Sequence, residues 1–269
     1  MKQRTITGLV MAVVLVPIFI IGNIPLMIVL GLLSLYATYE IYHLSHTEDI
    51  EWLTLLTNLF FGLGMYLSTI LYLLGHVPVI WPVTSIIVTS LVYVYYYYGL
   101  NQSFKYNLIA SLYPSIGFAT LFAFRESSLI LIGFVFLITV STDIFAYMVG
   151  INFGKHKLAP KISPKKSWEG SIGGTTITVI LAVIYIVVFN LNGILSIEAN
   201  IFMMIVLTIL ISIFGQIGDL VASQMKRNHS VKDFSQLFPG HGGVMDRFDS
   251  VLFVGVVMLV ISEIVKLVG

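Results

Sequence analysis

Residues 128–150 read SLILIGFVFLITVSTDIFAYMVG, an apolar run that carries one carboxylate, Asp143. The run is long enough to cross a hydrocarbon core, which takes about 20 residues of helix. A charged side chain inside such a span costs about 3 kcal/mol on insertion scales, so it marks a functional candidate by default. This stretch therefore predicts a transmembrane helix, with Asp143 as the first candidate residue of a functional site.

The rest of the 269-residue chain repeats this pattern. Apolar residues make up 58% of it and charged residues 10%, at a mean hydropathy of +0.98, which excludes an ordinary soluble globule. The apolar runs are continuous rather than alternating, as membrane helices require. We therefore predict an all-α fold, a polytopic membrane helix bundle with about nine transmembrane helices. The predicted spans cover about residues 5–22, 24–42, 54–74, 80–98, 105–123, 128–150, 173–192, 201–224 and 247–268.

Lys and Arg residues predict the orientation, because they accumulate on the cytoplasmic side of a membrane. With the N-terminus in the cytoplasm, only Arg125 and Lys266 of the fourteen basic residues lie outside. We therefore expect an integral protein of the cytoplasmic (plasma) membrane whose functional site faces the cytoplasm. The basic residues on the inner side are Lys2, Arg4, Lys105, Lys155, Lys157, Lys161, Lys165, Lys166, Lys226, Arg227, Lys232 and Arg247.

Charge and cysteine content exclude several kinds of function. A net charge of +1 creates no global field, so no nucleic-acid partner is expected. With no cysteine, the chain has no disulfide, no thiolate nucleophile and no Cys-bound zinc. Residues 1–104 carry few polar groups inside their spans, and we interpret them as transmembrane scaffold helices. Residues 105–269 form the predicted catalytic region of the same integral-membrane unit.

Three more aspartates lie at the inner ends of predicted spans. Asp219 is near the C-terminal end of the eighth span, where the helix dipole disfavours a carboxylate. Asp246 and Asp249 open the ninth span on one helix face, where simple capping is the alternative role. Compensation at Asp219 requires either Lys or Arg, or a divalent cation such as Mg²⁺, which prefers carboxylate oxygens. Glu40 and Glu263 also fall in or near spans, and Glu263 is interpreted as structural.

The segment after the eighth span is the most polar part of the chain; residues 223–250 read SQMKRNHSVKDFSQLFPGHGGVMDRFDS. Its cations can neutralise phosphate charge, and its glycines let backbone N–H groups approach an anion. Cations alone would indicate an ordinary cytoplasmic loop, but beside glycines and acids they favour phosphoryl or nucleotidyl transfer. The cations are Lys226, Arg227, Lys232 and Arg247, and the glycines are Gly240, Gly242 and Gly243.

A second basic loop, residues 154–174, contains five lysines. These lysines, which include Lys165 and Lys166, either bind substrate phosphates or form a surface patch for anionic lipid headgroups. His241 lies between two glycines and is either part of the site or the donor of a turn.

These motifs resemble one known family. Residues 223–249, residues 163–170 (SPKKSWEG) and the pattern Asp143-x3-Tyr147 are similar to the signature of the phosphatidate cytidylyltransferases, also called CDP-diacylglycerol synthases. The likeness covers roughly residues 140–250. One departure is Ala222, where many members of the family have Glu.

The resemblance implies transfer of CMP from CTP to phosphatidic acid in phospholipid biosynthesis, with CDP-diacylglycerol and pyrophosphate as products. It implies Mg²⁺ held by Asp219 and Asp246, together with a second, monovalent cation such as K⁺. Asp143 and Asp249 would hold a second cation or orient the basic residues. The partners are then CTP, phosphatidic acid and the bilayer, and a homodimer is the assembly considered. The implied catalytic residues are Asp219, Asp246, Lys226, Arg227, Arg247 and Asp249, and the implied substrate-binding residues are Ser223, Lys232, Asp233, His241, Gly242, Gly243, Lys165 and Lys166.

Two alternative functions stay open at this level. A CTP-dependent lipid kinase of the polyprenol or phytol type would use a similar membrane scaffold but transfer the terminal phosphate. An ion-coupled transporter would also place acids in membrane helices, but near the midplane rather than at one interface.

Overall fold

The structure, a computed structural model, describes residues 2–45, 51–96, 102–191, 193–194, 197–198 and 200–268. These residues form nine α-helices and two small antiparallel sheets of two strands each. The helices are α1 (Lys2–Ile21), α2 (Asn23–Ser45), α3 (Trp52–Leu73), α4 (Ile80–Tyr96), α5 (Gln102–Ser127), α6 (Leu129–Phe153), α7 (Trp168–Phe189), α8 (Ile201–Asn228) and α9 (Met245–Val268). The strands are β1 (Lys157–Ala159), which pairs with β2 (Ser163–Ser167), and β3 (Gly193–Ile194), which pairs with β4 (Ile197–Glu198).

The prediction of an all-α polytopic membrane protein is confirmed. Within the described residues, six helices are long and apolar enough to cross a membrane, namely α2, α3, α5, α6, α7 and α8. Helices α1 and α4 contain the shorter apolar stretches Thr5–Ile21 and Ile80–Val94. The orientation of the termini stays a prediction.

Some predicted features lie outside the described residues. Residues 97, 98 and 192, at the ends of two predicted spans, are among them. The side chains of Lys2, Arg4 and Lys266, which enter the count of basic residues, also lie outside the described part of the chain.

Helix α8 is longer than the span predicted for it. It ends at Asn228 rather than near residue 224, so Lys226 and Arg227 lie in its last turn. The apolar run predicts both residues in the segment after the helix, and the structure corrects this assignment. Basic side chains are favoured in a last helical turn because the helix dipole is negative there.

Packing divides the chain into two compact units. The first unit comprises Met1–Glu126 and His229–Phe248, and the second comprises Ser127–Asn228 and Asp249–Gly269. The 229–248 segment, which contains most of the polar motif, therefore packs with the N-terminal helices. The predicted division at residue 104 into scaffold and catalytic regions concerns function and stays a prediction.

In the first unit, the end of α5 fixes the turn between α1 and α2. The Arg125 guanidinium donates hydrogen bonds to the carbonyls of Phe19 and Ile20 in the last turn of α1. The Glu126 carboxylate accepts a hydrogen bond from the backbone N–H of Asn23, 2.9 Å away, at the start of α2. Each side chain satisfies backbone groups that a helix end leaves unpaired, and each has the charge that the helix dipole favours there.

A buried polar network joins α3, α4 and α5 in the same unit. The Asn58 amide donates to Asn107 Oδ1 at 2.5 Å and accepts from the Tyr93 hydroxyl at 2.6 Å. The Ser111 hydroxyl donates to Asn58 Oδ1 at 2.8 Å. Because buried amides are costly without partners, this network specifies how the three helices pack.

In the second unit, α6 and α7 approach closely at two glycines of α7. A Cβ atom at Gly170 would lie 2.5 Å from the Ala146 carbonyl oxygen, and one at Gly174 would lie 2.7 Å from the Ala146 nitrogen. Small residues allow such contact between membrane helices. The Thr142 hydroxyl donates to Ser212 Oγ at 2.9 Å and joins α6 to α8. These contacts position the acid-bearing part of α6.

Replacing Gly174 by Ala is expected to lower the free energy of unfolding by about 1–3 kcal/mol, because the added methyl group overlaps backbone atoms of α6. The matched control is Gly64→Ala in α3, where no atom lies within 4 Å of the added carbon and helix propensity favours Ala. Thermal unfolding of both variants in one detergent measures the difference. Equal midpoints for the two variants would contradict the close approach of α6 and α7.

Candidate active site

Three aspartates of the second unit come together from three helices. Asp143 lies on α6, Asp219 on α8 and Asp249 on α9, and their charges are close enough to interact. Asp249 is buried, at 9% exposure, and Asp219 is half-buried. The structure thus brings together three of the four aspartates that the sequence selects.

Hydrogen bonds orient each of these carboxylates. The Ser250 N–H donates to Asp249 Oδ1 at 2.7 Å, and the Ser250 hydroxyl donates to Asp143 Oδ2 at 3.4 Å. The Ser223 hydroxyl donates to Asp219 Oδ1 at 3.3 Å, one turn away on α8. Ser223, which the resemblance assigns to substrate, therefore supports a neighbouring acid in this structure.

A lysine of the β1–β2 hairpin completes this group. Lys166 Nζ lies 2.6 Å from Asp219 Oδ2, and the two side chains are 23% and 29% exposed. Side chains alternate along a strand, so its neighbour Lys165 is exposed on the other face of β2. The basic loop is therefore more than a surface patch, because one of its lysines compensates an acid whose position at a helix C-terminus is unfavourable.

The last turn of α8 supplies a second lysine and a contact to the hairpin. Lys226 is buried, at 8% exposure, and its charge interacts with that of Asp249. Arg227 Nε donates to the Ile162 carbonyl oxygen at 3.3 Å, within the β1–β2 connection. Lys226 thus belongs to the acid cluster, the group formed by Asp143, Asp219 and Asp249. Arg227 instead holds the hairpin against α8.

Glu169 and Ser167 fix the base of the hairpin at α7. The Glu169 carboxylate accepts from the N–H groups of Lys155 and His156 at 3.1 and 3.2 Å, and it lies 2.6 Å from His156 Nδ1. The Ser167 hydroxyl caps α7 by accepting from the Gly170 N–H at 3.2 Å. These contacts explain why Ser, Glu and Gly follow the two lysines in the 163–170 motif.

The acid cluster has more carboxyl groups than lysines. Two lysines, Lys166 and Lys226, accompany three aspartates. In the part of the chain that the structure describes, no group of three or more His, Cys, Asp or Glu side chains is placed so that it could hold a metal ion by itself. Mg²⁺ is commonly held by one or two carboxylates, with waters and substrate phosphates as its other ligands, and the donors present here suit that mode.

In the first unit, residues 238–242 form a tight turn. The His241 N–H donates to the Phe238 carbonyl at 2.7 Å, with Pro239 and Gly240 at the central positions. Gly240 has a φ of 76°, which a type II turn requires at this position and which glycine adopts without strain. The His241 backbone is thus a turn donor, and its side-chain Nδ1 is buried without a hydrogen-bond partner among the described atoms.

Asp246 binds backbone N–H groups of its own segment. Its Oδ2 accepts from the Phe234 N–H at 2.8 Å and from the Gly243 N–H at 2.9 Å. A Cβ atom on Gly242 would lie 2.6 Å from the same oxygen. The anion beside these N–H groups is therefore a carboxylate of the protein itself. Binding of a substrate phosphate by Gly242 and Gly243 stays a prediction.

Glu40 of α2 reaches the same segment and is absent from the residues that the sequence analysis assigns to the site. Its Oε1 accepts from the Ser235 hydroxyl at 2.6 Å and from the Val244 N–H at 2.9 Å, and its Oε2 accepts from the Met245 N–H at 2.8 Å. The sequence signal was an acid inside an apolar span. Its nearest partner in sequence is 195 residues away, so no local pattern identifies what it binds.

Other residues of the 229–248 segment differ in exposure. His229 packs edge-on against Tyr106 with ring centroids 4.6 Å apart, and burial lowers the pKa of its imidazole. The remaining residues that the resemblance assigns to catalysis or substrate are exposed, namely Lys232, Asp233 and Arg247.

Two further features concern individual positions. Asp219 belongs to the second unit and Asp246 to the first, and their joint binding of one metal ion stays a prediction. Ala222 is 1% exposed on α8, where its small side chain fits a buried face.

Comparison with known proteins extends the resemblance to the N-terminal helices. A family model described as the cytidylyltransferase family matches residues 2–265. The chain is 34% identical over 261 residues to the phosphatidate cytidylyltransferase of Staphylococcus aureus (strain COL), and the alignment covers 94% of this chain and 96% of that protein. Proteins of the same name from Staphylococcus haemolyticus and Staphylococcus saprophyticus are 35% and 33% identical, with the same coverage.

Replacing Lys166 by Met is expected to lower the free energy of unfolding by about 1–3 kcal/mol, because half-buried Asp219 loses its ion-pair partner beside two other acids. The matched control is Lys165→Met at the exposed neighbouring position, which should stay close to the wild-type protein. Unfolding of the three proteins in detergent with a chelator measures the difference. A control variant as unstable as Lys166→Met would show that the ion pair does not stabilise the hairpin.

Proposed function

Because the chain belongs to the cytidylyltransferase family, we propose that it transfers CMP from CTP to phosphatidic acid, giving CDP-diacylglycerol and pyrophosphate. The observation that carries this proposal is the family match over residues 2–265, together with relatives named phosphatidate cytidylyltransferase. The acid and lysine cluster of the second unit supports it, because a reaction between two polyanions needs fixed cations and a place for a metal ion. The chain is then a nucleotidyltransferase of phospholipid biosynthesis.

The reaction places few demands on proton transfer. A phosphate oxygen of phosphatidic acid forms a bond to the α-phosphorus of CTP. The bond from that phosphorus to the oxygen that bridges the α- and β-phosphates breaks, and this oxygen leaves with pyrophosphate. The phosphate monoester is ionised near neutral pH, so its oxygen needs no strong general base. The side chains therefore have to align the substrates and neutralise their charge.

Cations of the chain serve this charge neutralisation. Lys226 and Arg247 stabilise the negative charge that develops on the leaving pyrophosphate. Lys166 binds either the triphosphate or the phosphatidate headgroup, and its contact with Asp219 supports a place at the reacting phosphates rather than at the lipid surface. Arg227 acts by holding the hairpin that carries Lys166.

The acids have two roles in this proposal. Asp219 and Asp246 would hold Mg²⁺, which when bound would neutralise charge on the phosphates of CTP. Asp143 and Asp249 hold a second, monovalent cation such as K⁺ or orient the lysines. The interaction between Asp249 and Lys226 supports the orienting role.

The proposal includes a location. The distribution of Lys and Arg supports a plasma-membrane protein whose N-terminus and site face the cytoplasm. At such an interface CTP arrives from water while the diacyl chains of the lipid substrate stay in the bilayer. Assembly as a homodimer stays a prediction.

Labelled CTP tests the reaction. Purified protein in detergent with phosphatidic acid and Mg²⁺ is expected to transfer a cytidine label into lipid and to release the label of the terminal phosphate as pyrophosphate. A lipid kinase would instead release labelled CDP from the cytidine label and place the terminal phosphate in lipid. Terminal-phosphate label in the lipid fraction would therefore contradict the proposal and support the kinase.

Replacing Asp219 or Asp246 by Asn is expected to lower kcat/KM roughly 100-fold or more, because the proposed metal ligand loses its charge but keeps its shape. The control is Glu263→Gln, which neutralises a half-buried carboxylate of α9 outside the proposed site. Rates are measured at equal amounts of monodisperse protein, with a chelator sample as a second reference. Wild-type turnover by either Asn variant, or by the chelated enzyme, would overturn the metal assignment.

A further inference from the structure

The start of α9 is capped by a side chain from a distant part of the chain. Helix α9 begins at Met245, and the apolar side chain of Val244 before it cannot accept the hydrogen bonds of the first turn. Glu40 of α2 accepts two of the hydrogen bonds at this helix start, because the N–H groups of Val244 and Met245 donate to its two oxygens at 2.9 and 2.8 Å. An acid at this end of a helix also has the favourable sign for the helix dipole.

The surrounding residues are shaped to admit this carboxylate. A Cβ atom at residue 243 would overlap Glu40 Oε1, so only glycine fits there while the carboxylate keeps this position. The Ser235 hydroxyl donates to the same oxygen at 2.6 Å and accepts from the Leu237 N–H at 3.2 Å. Glu40 itself is 1% exposed, so these three donors take the place of water.

We propose that Glu40 is a positioning residue for the transfer reaction: it fixes the backbone of residues 243–245 and thereby the direction in which Asp246 and Arg247 leave α9. This inference rests on the proposed function, which assigns Asp246 and Arg247 to the metal ion and the substrate. Asp246 accepts a hydrogen bond from the Gly243 N–H. The next two N–H groups along the chain, those of Val244 and Met245, donate to Glu40. The two carboxylates therefore determine one short stretch of backbone together.

Glutamine is the sharpest replacement for Glu40, because it keeps the size and removes one acceptor. Its NH₂ group would face a backbone N–H, so two donors would oppose each other and one buried N–H would lose its partner. The 243–245 backbone must then shift to find another acceptor. The helix α2 around the substitution keeps its packing.

The experiment compares Glu40→Gln with Thr38→Val, a nearly isosteric change on the same helix. Thr38 is fully buried and its hydroxyl has no hydrogen-bond partner among the described atoms, so this control removes a buried polar group without breaking a contact. Glu40→Gln is expected to lower kcat about 10- to 100-fold, as loss of a group that supports a metal ligand does. It should also speed hydrogen exchange of peptides within residues 235–248, whereas Thr38→Val should change neither quantity.

A mutant cycle tests whether Glu40 acts through the turn. Gly243→Ala should lower kcat by a similar factor, because its methyl group displaces the carboxylate. The double variant Glu40→Gln/Gly243→Ala should be no worse than the poorer single variant, since both changes break the same contact. Independent, multiplying effects would overturn the proposal.

The outcomes separate this inference from the proposed function. A wild-type protein without cytidyl transfer overturns the proposed function, and the exchange comparison still tests whether Glu40 holds the turn. Loss of activity in Glu40→Gln at wild-type exchange, or wild-type kcat with any exchange pattern, overturns the positioning role. If Glu40→Gln does not fold, Ser235→Ala removes one of the three donors and is expected to give a smaller loss of kcat with faster exchange in the same peptides.

Discussion

A carboxylate within a membrane helix is stable only where cations or N–H groups take the place of water around it. In the second unit, cations do this. Lys166 pairs with Asp219, and the charge of Lys226 acts on Asp249. Because these lysines come from the β1–β2 hairpin and from the last turn of α8, compensation of the acids also fixes the elements that carry them. The same electrostatic requirement therefore holds these elements together and concentrates fixed cations beside the acids.

In the first unit, backbone N–H groups meet the same requirement. Asp246 and Glu40 both accept hydrogen bonds at the start of α9, and each explains the glycine beside it. A side chain at Gly242 would collide with Asp246, and one at Gly243 would collide with Glu40. A glycine-rich approach to a helix start is typical of phosphate binding, but here it is also what two carboxylates of the chain require. The glycine pattern alone therefore fits two anions at these N–H groups, a substrate phosphate and a carboxylate of the chain.

Some parts of this structure can be predicted from the sequence and others cannot. Hydropathy predicts the helices because lipid leaves the backbone few alternatives, and the cost of burying charge selects Asp143, Asp219 and Asp249. Sequence patterns do not distinguish Lys166 from Lys165, because the strand face on which each side chain lies depends on the pairing of a short hairpin. Hydropathy places the end of α8 too early, because a helix can continue beyond the apolar run that predicts it.

Glu40 marks the clearest limit, because its partners lie 195 to 205 residues away and two of them are backbone groups without a side-chain signature. The contact of Glu40 also shows that a helix interpreted as scaffold can determine local structure in the polar segment. Residues 229–244 are not helical, and the 229–248 segment finds its partners on the N-terminal helices. Thr7 donates to the Pro239 carbonyl at 3.1 Å, and Tyr106 packs against His229. Helices that carry little chemistry of their own thus determine the conformation of the polar segment, so its motif cannot be understood apart from them.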